Sequence, residues 1–382
     1  MGRLPRSLAS LCLAALIVAC AGPASPARGG SAPAPAASQP SAAPSAAPPA
    51  TAPLPAGAAS YQPAAPLSPP VRVRLADIQS TSDGGFYLAL DKGYFAAEGL
   101  DVELIRFDTA ATQVSALGTN QLEVGVGSLS AGLMNAAARG IPLKIVADRA
   151  TLKNGALSFM VRKELVDSGQ VADWSDLGGR PVANNGAGTG AQLALKRGLE
   201  LGGLTLDDVD QQIISFSDMI PALGNGSIDM GVMIEPLITA AISRGVAVRW
   251  KRAIDAFPGL EIAVVMYSDE FARNSEAANR FMIAYLRGVR EYHDGLFKGL
   301  PNRPEVVQAL VAHTAVKDPT LYDRMEPSYV NPNGWVQVDN LKEQQREFGE
   351  LGLLDGPPAD LDRVVDLSYV ENALRVLGQY EE

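Results

Sequence analysis

Short polar residues occur in this sequence where a predicted strand passes into a helix. Ser128 and Ser130 follow one such strand, Gly188 and Thr189 follow a second, and Glu235 follows a third. Residues at the carboxyl ends of parallel strands meet around ligands. The N–H groups of a helix start donate hydrogen bonds to anionic or carbonyl groups. The predicted chemistry is therefore recognition of a small molecule by hydrogen bonds.

The residue types that support catalysis are missing from this pattern. A nucleophile elbow needs glycine two residues before the serine, and Val126 stands there. His293 and His313 lie alone in helix-like sequence and are interpreted as packing or surface residues. Cys12 and Cys20 both precede the predicted fold, which excludes thiol and zinc–thiolate chemistry from it. We expect no enzymatic activity, no cofactor and no metal.

The elements that carry these polar residues occur twice. Residues 116–140 and 222–245 both begin with Ala-Leu-Gly, place Gly-Val seven residues after that glycine, and end in Arg-Gly. Each segment reads as a helix end, a polar turn, a short strand and a helix start. This repeat predicts two similar α/β lobes that face each other across a cleft. Elsewhere strands alternate with helices, which predicts βαβ units and parallel sheets.

The same pattern predicts how the chain is divided. We expect residues 71–156 and 264–382 to form lobe 1 and residues 157–263 to form lobe 2. The strands predicted at 157–161 and 261–267 are expected to cross between the lobes. The helical sequence after residue 269 is expected to flank lobe 1.

The N-terminal sequence predicts export and anchoring. Arg3 and Arg6 precede an apolar run that is too short for a stable membrane span, so residues 1–19 are predicted to be a signal peptide. Residues 17–20 resemble a bacterial lipobox, which predicts a lipid on Cys20; a plain secretory signal is the alternative. Residues 20–70 contain 14 of the 27 prolines, with Ala and Ser, and are predicted to be a disordered tether. We expect the protein on the outer face of the cytoplasmic membrane or in the periplasm.

Composition narrows the range of partners. The chain is 47% hydrophobic and 19% charged, with a formal net charge of −10, and has no run of Lys and Arg. Such a surface repels nucleic acid, so no nucleic-acid partner is expected. We expect a monomer.

Two further segments add candidate ligand contacts. The loop after the first strand contains Gln79, Thr81 and Asp83, and Tyr87 lies one turn into the next helix. Residues 185–191 fit a loose dinucleotide pattern, but they lie mid-chain, and an exported protein meets little NAD. This second segment is therefore interpreted as a helix start whose N–H groups face a ligand. Helix capping, or packing for Tyr87, is the alternative role at these positions.

Residues 79–104 contain Lys92-Gly93-Tyr94-Phe95 and Glu98-Gly99-Leu100-Asp101-Val102. They resemble the opening of ABC-importer solute-binding proteins of the nitrate/sulfonate/taurine type and of the thiamine-pyrimidine-synthesis-like proteins. Residues 229–236, which end in Glu-Pro, resemble a second motif of that family. The likeness extends from about residue 71 to the end of the chain.

This resemblance implies a periplasmic-binding-protein type II fold whose two lobes close on a small molecule and deliver it to an ABC permease. Transferred by position, it implies a cleft lined by Gln79, Thr81, Asp83, Tyr87, Ser128, Ser130, Gly188, Thr189 and Glu235. A ligand sensor of the same fold is an alternative. The related pyrimidine-forming enzymes consume their own histidine, bind pyridoxal phosphate and carry a cysteine-rich motif, whereas this chain has no cysteine after Cys20. LysR-type regulators share the fold but need a helix-turn-helix.

The sequence gives conflicting indications of ligand chemistry. The helix starts favour an anionic or carbonyl group, whereas Asp83 and Glu235 favour a ligand that donates N–H bonds. No arginine occurs in the expected lining loops; Arg149 and Lys153 lie just past a strand end, and their entry into the cleft is left open. A small inorganic anion such as nitrate is therefore disfavoured. We expect a pyrimidine-like or amine-containing molecule, or an organic anion.

Overall fold

The computed structural model describes residues 65–107, 110–314 and 316–382. The predicted signal peptide, Cys20 and residues 20–64 of the predicted tether lie outside these ranges. The final residues of that tether are described, and they contact the folded body: the Leu67 N–H donates to the Glu98 carbonyl at 3.3 Å, and Arg280 donates to the Ala65 carbonyl at 3.0 Å. Within the described ranges, no helix has the length and apolar character needed to cross a membrane.

Two five-stranded sheets and fifteen α-helices make up the described chain. The strands are β1 (Val71–Asp77), β2 (Leu100–Arg106), β3 (Val124–Ser128), β4 (Leu143–Thr151), β5 (Leu157–Arg162), β6 (Pro181–Asn184), β7 (Asp210–Ile213), β8 (Met230–Ile234), β9 (Ala247–Arg252) and β10 (Glu261–Ser268). The helices are α1 (Gly84–Asp91), α2 (Tyr94–Ala97), α3 (Ala110–Gly118), α4 (Ala131–Ala138), α5 (Lys163–Asp167), α6 (Gly190–Leu201), α7 (Phe216–Asn225), α8 (Leu237–Ser243), α9 (Ala253–Ala256), α10 (Asp269–Arg273), α11 (Ser275–Leu296), α12 (Arg303–His313), α13 (Val338–Glu350), α14 (Leu361–Val364) and α15 (Ser368–Leu377).

The two sheets have the same plan. Their strand orders are β2-β1-β3-β10-β4 and β7-β6-β8-β5-β9, with β3 and β8 in the middle positions. The predicted repeat is confirmed, because it corresponds to α3-β3-α4 in one sheet and to α7-β8-α8 in the other. We use lobe 1 and lobe 2 for the parts of the chain built on the first and the second sheet.

One strand in each sheet departs from the predicted parallel arrangement. β10 is antiparallel to β3 and β4, and β5 is antiparallel to β8 and β9. The parallel strands of each lobe end at the edge that faces the other lobe. A chain that crosses directly from one lobe enters the next sheet at that same edge and must run in the opposite direction. The prediction of parallel sheets is therefore wrong for the two strands that follow a crossing.

Residues 152–156 and 253–260 connect the two sheets. β10 pairs with β4 from Glu261 onward, where Glu261 lies opposite Thr151 in the first sheet. The predicted border at residue 263 thus falls within β10. The division into 71–156 with 264–382, and 157–263, stays a prediction.

Close helix packing fixes the first loop of lobe 1. A Cβ at Gly288 of α11 would lie 1.9 Å from the Gly85 carbonyl oxygen of α1, so only glycine permits this approach. Stacking of Phe86 on Tyr285, with ring centroids 4.1 Å apart, extends the contact between the two helices. α1 therefore starts at a defined position, directly after the loop that contains Ser80 and Asp83.

Candidate functional site: the cleft between the lobes

A cleft with a volume of ≈ 740 Å³, its solvent-open mouth included, lies between the two lobes. Most of its walls are apolar, which suits an organic molecule. The residues that line it are Ile78, Ser80, Ser82, Ser128, Arg149, Ala150, Thr151, Leu152, Ala156, Leu157, Asn185, Thr189, Gly190, Ala191, Phe216, Ile234, Ile262, Ala263, Ser328 and Tyr329.

Beside this cleft the lobes touch through backbone atoms. The Ala131 N–H of lobe 1 donates to the Gly188 carbonyl of lobe 2 at 2.8 Å, and Ser130 forms an isolated antiparallel bridge with Thr189. Gly188 has φ +64, and a Cβ there would lie 2.6 Å from the Cβ of Ala131. The absence of a side chain at Gly188 lets the lobes meet.

Two carboxylates from the C-terminal helical region also join the lobes. Glu347 of α13 is buried and pairs with Lys196 at 3.2 Å and with Arg197, both on α6 of lobe 2. Glu326 pairs with Arg249 of β9 and accepts the N–H of residue 155 at 2.7 Å. Each carboxylate therefore links the C-terminal region to lobe 2 beside one of the two connections.

Some residues of the loop after β1 line the cleft, and others lie behind the cleft wall. Ser80 and Ser82 line the cleft, and their hydroxyls are 2.9 Å apart. The predicted residue Gln79 has φ 56, and its N–H donates to Asp77 Oδ1 at 2.9 Å. Thr81 is buried behind the wall, where its hydroxyl contacts Ser328 Oγ at 2.9 Å. The structure thus places the serines of this loop at the cleft, rather than Gln79 and Thr81.

Tyr87 is buried in the helical layer and does not line the cleft. Its hydroxyl donates to Asp77 Oδ1 at 2.7 Å, and its ring stacks on His313 at a centroid distance of 4.7 Å. Burial and the nearby carboxylates of Asp83 and Asp77 raise the pKa of Tyr87, so the phenol stays protonated and donates this bond. Its contacts are those of a packing residue.

Asp83 forms a buried ion pair with Arg149. Arg149 Nε donates to Asp83 Oδ1 at 2.6 Å, and the two side chains are 3% and 2% exposed. Burial opposes the charge on Arg149, but the charge and hydrogen bond of Asp83 outweigh it and raise the pKa of Arg149. Arg149 lines the cleft, and Asp83 lies behind it. Of the two cations that the sequence places just past a strand end, Arg149 lines the cleft and Lys153 does not.

The two helix starts contribute less N–H donor capacity than the sequence predicts. Ser128 and Thr189 line the cleft. Ser130 and Thr189 cap their helices, accepting from the N–H of residues 133 and 192 respectively, each at 3.3 Å. The Gly188 N–H donates to Gln192 Oε1 at 2.8 Å, within its own turn. Gly188 and Ser130 thus form the contact between the lobes and do not line the cleft.

Glu235 is buried outside the cleft lining. Its carboxylate accepts from Arg249 Nη2 at 2.6 Å and from the Thr239 N–H at 3.0 Å. Burial raises the pKa of Glu235, although the Thr239 and Arg249 interactions oppose the shift. With these partners its carboxylate caps α8 and holds β9, and neighbouring Ile234 reaches the cleft instead.

Several lining residues carry no signal of their own in the sequence. Tyr329 and Ser328 come from an irregular segment, and only long-range packing brings them to the cleft: Tyr292 donates to the Ser328 carbonyl at 3.0 Å. Phe216 begins the helix after β7 and Asn185 follows β6. Like Ser128, Phe216 and Asn185 lie where a strand passes into a helix, so the same reasoning applies to them.

A carboxyl pair lies directly behind the cleft wall. Asp148 and Glu261 are both fully buried and lie close enough for their charges to interact. Asp148 also accepts from the Thr151 hydroxyl at 2.8 Å and from the Asn331 N–H at 2.5 Å. Glu261 accepts from the Gln337 N–H at 2.9 Å. Burial and the charge of Asp148 raise the pKa of Glu261.

The raised pKa of Glu261 predicts that the free energy of unfolding decreases as the pH rises. An acid whose pKa is raised by folding adds its full stability below the unfolded value, about 4.3 for Glu, and loses it as the pH passes through the raised pKa. We expect the urea midpoint of unfolding to fall as the pH rises above about 4.3. Glu261→Gln, which imitates the protonated form, should flatten this dependence, and the exposed control Glu350→Gln should not. A slope unchanged in Glu261→Gln would show that folding does not raise the pKa of Glu261.

The described cleft lining contains no His, Cys, Asp or Glu side chain. Within residues 65–107, 110–314 and 316–382, no group of three or more His, Cys, Asp or Glu side chains is arranged to hold a metal ion. The hydroxyl, amide and guanidinium groups on its walls are suited to hydrogen bonding.

Solved structures with this fold include small-molecule-binding proteins and an enzyme. The nitrate-binding protein NrtA from Synechocystis PCC 6803 has a TM-score of 0.65 at 14% identity, covering 81% of this chain and 89% of that chain. The alkanesulfonate-binding protein SsuA from Xanthomonas axonopodis pv. citri, bound to MOPS, has a TM-score of 0.62 at 18% identity, covering 78% and 99%. The desulfurization enzyme DszB shares the fold, with a TM-score of 0.58 at 15% identity and coverage of 80% and 99%.

At the level of sequence, the chain is 25% identical over 249 residues to the riboflavin-binding protein RibY from Chloroflexus aurantiacus, which covers 62% of this chain and 67% of that protein. The predicted periplasmic-binding-protein fold and the resemblance to nitrate- and sulfonate-type binding proteins are confirmed by these comparisons. Residues 80–294, more than half of the chain, match the family model described as NMT1/THI5 like. This chain therefore belongs to the NMT1/THI5-like family.

Proposed function

We propose that this protein is the solute-binding component of an ABC importer and captures a small organic molecule between its two lobes. The observation that carries the proposal is a largely apolar cleft whose walls come from both lobes, beside a direct contact between Ala131 and Gly188. A ligand in this position touches both lobes and so favours the closed arrangement over the open one. Pyrimidine-like molecules, amine-containing molecules and organic anions are the candidate ligands.

The proposal includes export, anchoring and a partner. The sequence of residues 1–20 supports a signal peptide and a lipid on Cys20. Residues 20–64, rich in proline, support a tether that lets the folded part reach a permease in the same membrane. A lipid-anchored monomer that delivers its ligand to an ABC permease is the arrangement that these features favour.

We propose that the protein binds its ligand without catalysing a reaction. The fold itself does not decide this, since DszB shares it. The hydroxyls on the cleft walls belong to Ser80, Ser82, Ser128, Thr151, Thr189, Ser328 and Tyr329. The described cleft lining contains no histidine, aspartate, glutamate or lysine to activate them as nucleophiles.

The test is to recover the ligand. The protein, purified under native conditions and then denatured, should release one small molecule in about equal amount, detectable by mass spectrometry. Ala191→Leu, which fills the cleft wall, should lose it, and Ala172→Leu at an exposed position should retain it. A thermal-shift panel of riboflavin, pyrimidines, amines, sulfonates and nitrate adds a second readout, because a ligand at 100 times its Kd contributes about 2.7 kcal/mol. Release of nothing, together with no shift across the panel, would refute the proposal.

A further inference from the structure

Arg149 is the charged residue of the cleft lining. It lies near the C-terminal end of β4, its side chain is 3% exposed, and it lines the cleft. The remaining residues of the described lining carry no charge. Any interaction of the ligand with a full charge on the wall must therefore involve Arg149.

One nitrogen of this guanidinium has no hydrogen-bond partner among the described residues. Nε bonds to Asp83, but Nη2 is buried and has no hydrogen-bond partner among the residues that the structure describes. A guanidinium carries five N–H donors and accepts nothing. A buried donor without a partner is unfavourable. An acceptor atom on a molecule in the cleft would supply the missing partner.

The charge on Arg149 is already compensated. Asp83 Oδ1 lies 2.6 Å from Arg149 Nε, which leaves the pair neutral as a unit. The nearest further cation in sequence, Lys153, is half-exposed; it donates to the Tyr329 hydroxyl at 3.0 Å and pairs with Glu382 at 3.8 Å. An anion placed against Nη2 would meet the negative charge of Asp83 without a second cation to balance it. A cationic ligand would find no free carboxylate on the described walls.

We propose that Arg149, held and neutralised by Asp83, selects the ligand: its Nη2 donates to a carbonyl oxygen or ring nitrogen of an uncharged ring compound. This inference rests on the proposed function and narrows its ligand class. The polar acceptor binds at Arg149, and the ring lies against the apolar walls that include Phe216, Ile234 and Leu157. Nitrate and sulfonates are thereby disfavoured.

The test uses pairs of ring compounds in which one member is uncharged and the other carries a carboxylate: uracil and orotate, nicotinamide and nicotinate, benzamide and benzoate. On the wild-type protein, calorimetry should show that the uncharged member of at least one pair binds, and binds at least tenfold more tightly than its anion. This arm needs no variant, so it does not depend on how a substitution affects folding.

Two variants then test whether Arg149 and Asp83 cause the preference for uncharged probes. Arg149→Lys keeps the charge but removes Nη2, and should weaken the uncharged probe at least tenfold. The same substitution at the exposed Arg139 is the control and should leave affinity unchanged. Asp83→Asn keeps an acceptor for Nε but leaves Arg149 uncompensated, so the ratio of anion to neutral affinity should rise at least tenfold. Circular dichroism establishes which variants are folded.

The outcomes separate this inference from the function on which it rests. Tighter wild-type binding of the anionic probes, or an anion among the ligands released from the native protein, overturns the selection and leaves the binding function standing. Binding of no probe, together with release of a ligand that is not an uncharged ring compound, also overturns it. Release of no ligand and no shift with any compound removes the binding function itself.

Discussion

Gly188→Ala is expected to lower ligand affinity at least tenfold and to expand the unliganded protein in small-angle scattering. The added Cβ would lie 2.6 Å from the Cβ of Ala131, closer than two carbon atoms can approach. Neither atom belongs to a flexible side chain, so the lobes must separate and the bond from the Ala131 N–H to the Gly188 carbonyl must lengthen. The closed state becomes rarer, and apparent affinity falls by the same factor.

The control for this prediction lies at the C-terminal end of α6, the helix that begins just after Gly188. Gly203, just after α6, has φ +72 and no atom within 4 Å of its virtual Cβ. Gly203→Ala therefore carries the same backbone strain, about 1–2 kcal/mol, without the contact between lobes. Both variants should lose similar stability, but only Gly188→Ala should lose affinity and expand. Equal affinities in the two variants would mean that closure does not depend on this contact.

Gly288→Ala is expected to destabilise the protein by about 3 kcal/mol or more, at the upper end of the range for overpacked cores. Its Cβ would lie 1.9 Å from the Gly85 carbonyl oxygen and 3.0 Å from the Ala89 nitrogen. Both atoms are backbone, so no change of rotamer relieves the contact, and α1 must move away from α11. Because α1 directly follows the loop that contains Ser82, this movement should also disturb the cleft.

The matched control is a second helical glycine. At Gly349 of α13 the nearest atom to a virtual Cβ is Leu354 Cδ1, at 3.6 Å, which is an ordinary contact. Gly349→Ala should be neutral or should stabilise by up to about 1 kcal/mol, since alanine favours helix over glycine. Urea midpoints measure both effects. If the two variants unfold at the same midpoint, the close approach of α1 and α11 does not limit stability.

The sequence predicted the fold far better than it predicted the cleft lining. The repeat at residues 116–140 and 222–245 identified the two middle strands, because hydrophobic periodicity and glycine spacing are local properties. The direction of β5 and β10 was not predictable in this way, since it depends on where the chain leaves one lobe and enters the next.

At the cleft, the expectation that ligand contacts lie where strands pass into helices identified the correct region but often the wrong side chain. Ser128 and Thr189 line the cleft, as predicted. Asp83 and Glu235 instead form ion pairs with Arg149 and Arg249. A sequence shows that a carboxylate follows a strand, but not which distant arginine pairs with it. Tyr329 reaches the cleft through the packing of an irregular segment, which leaves no periodic pattern to detect.

The pairing of Thr151 with Glu261 has a consequence for how the chain folds during synthesis. The second sheet is formed from consecutive strands, β5 to β9, whereas the first sheet needs β10 to fill the position between β3 and β4. The ribosome therefore releases all of the second sheet before the first can be completed. Once the second sheet has folded, the two ends of its segment lie close together, and β10 no longer has to close a long flexible loop to reach β4. We therefore expect lobe 2 to fold before lobe 1 is completed, so that mutations that slow the folding of lobe 2 also delay the pairing of β10 with β4.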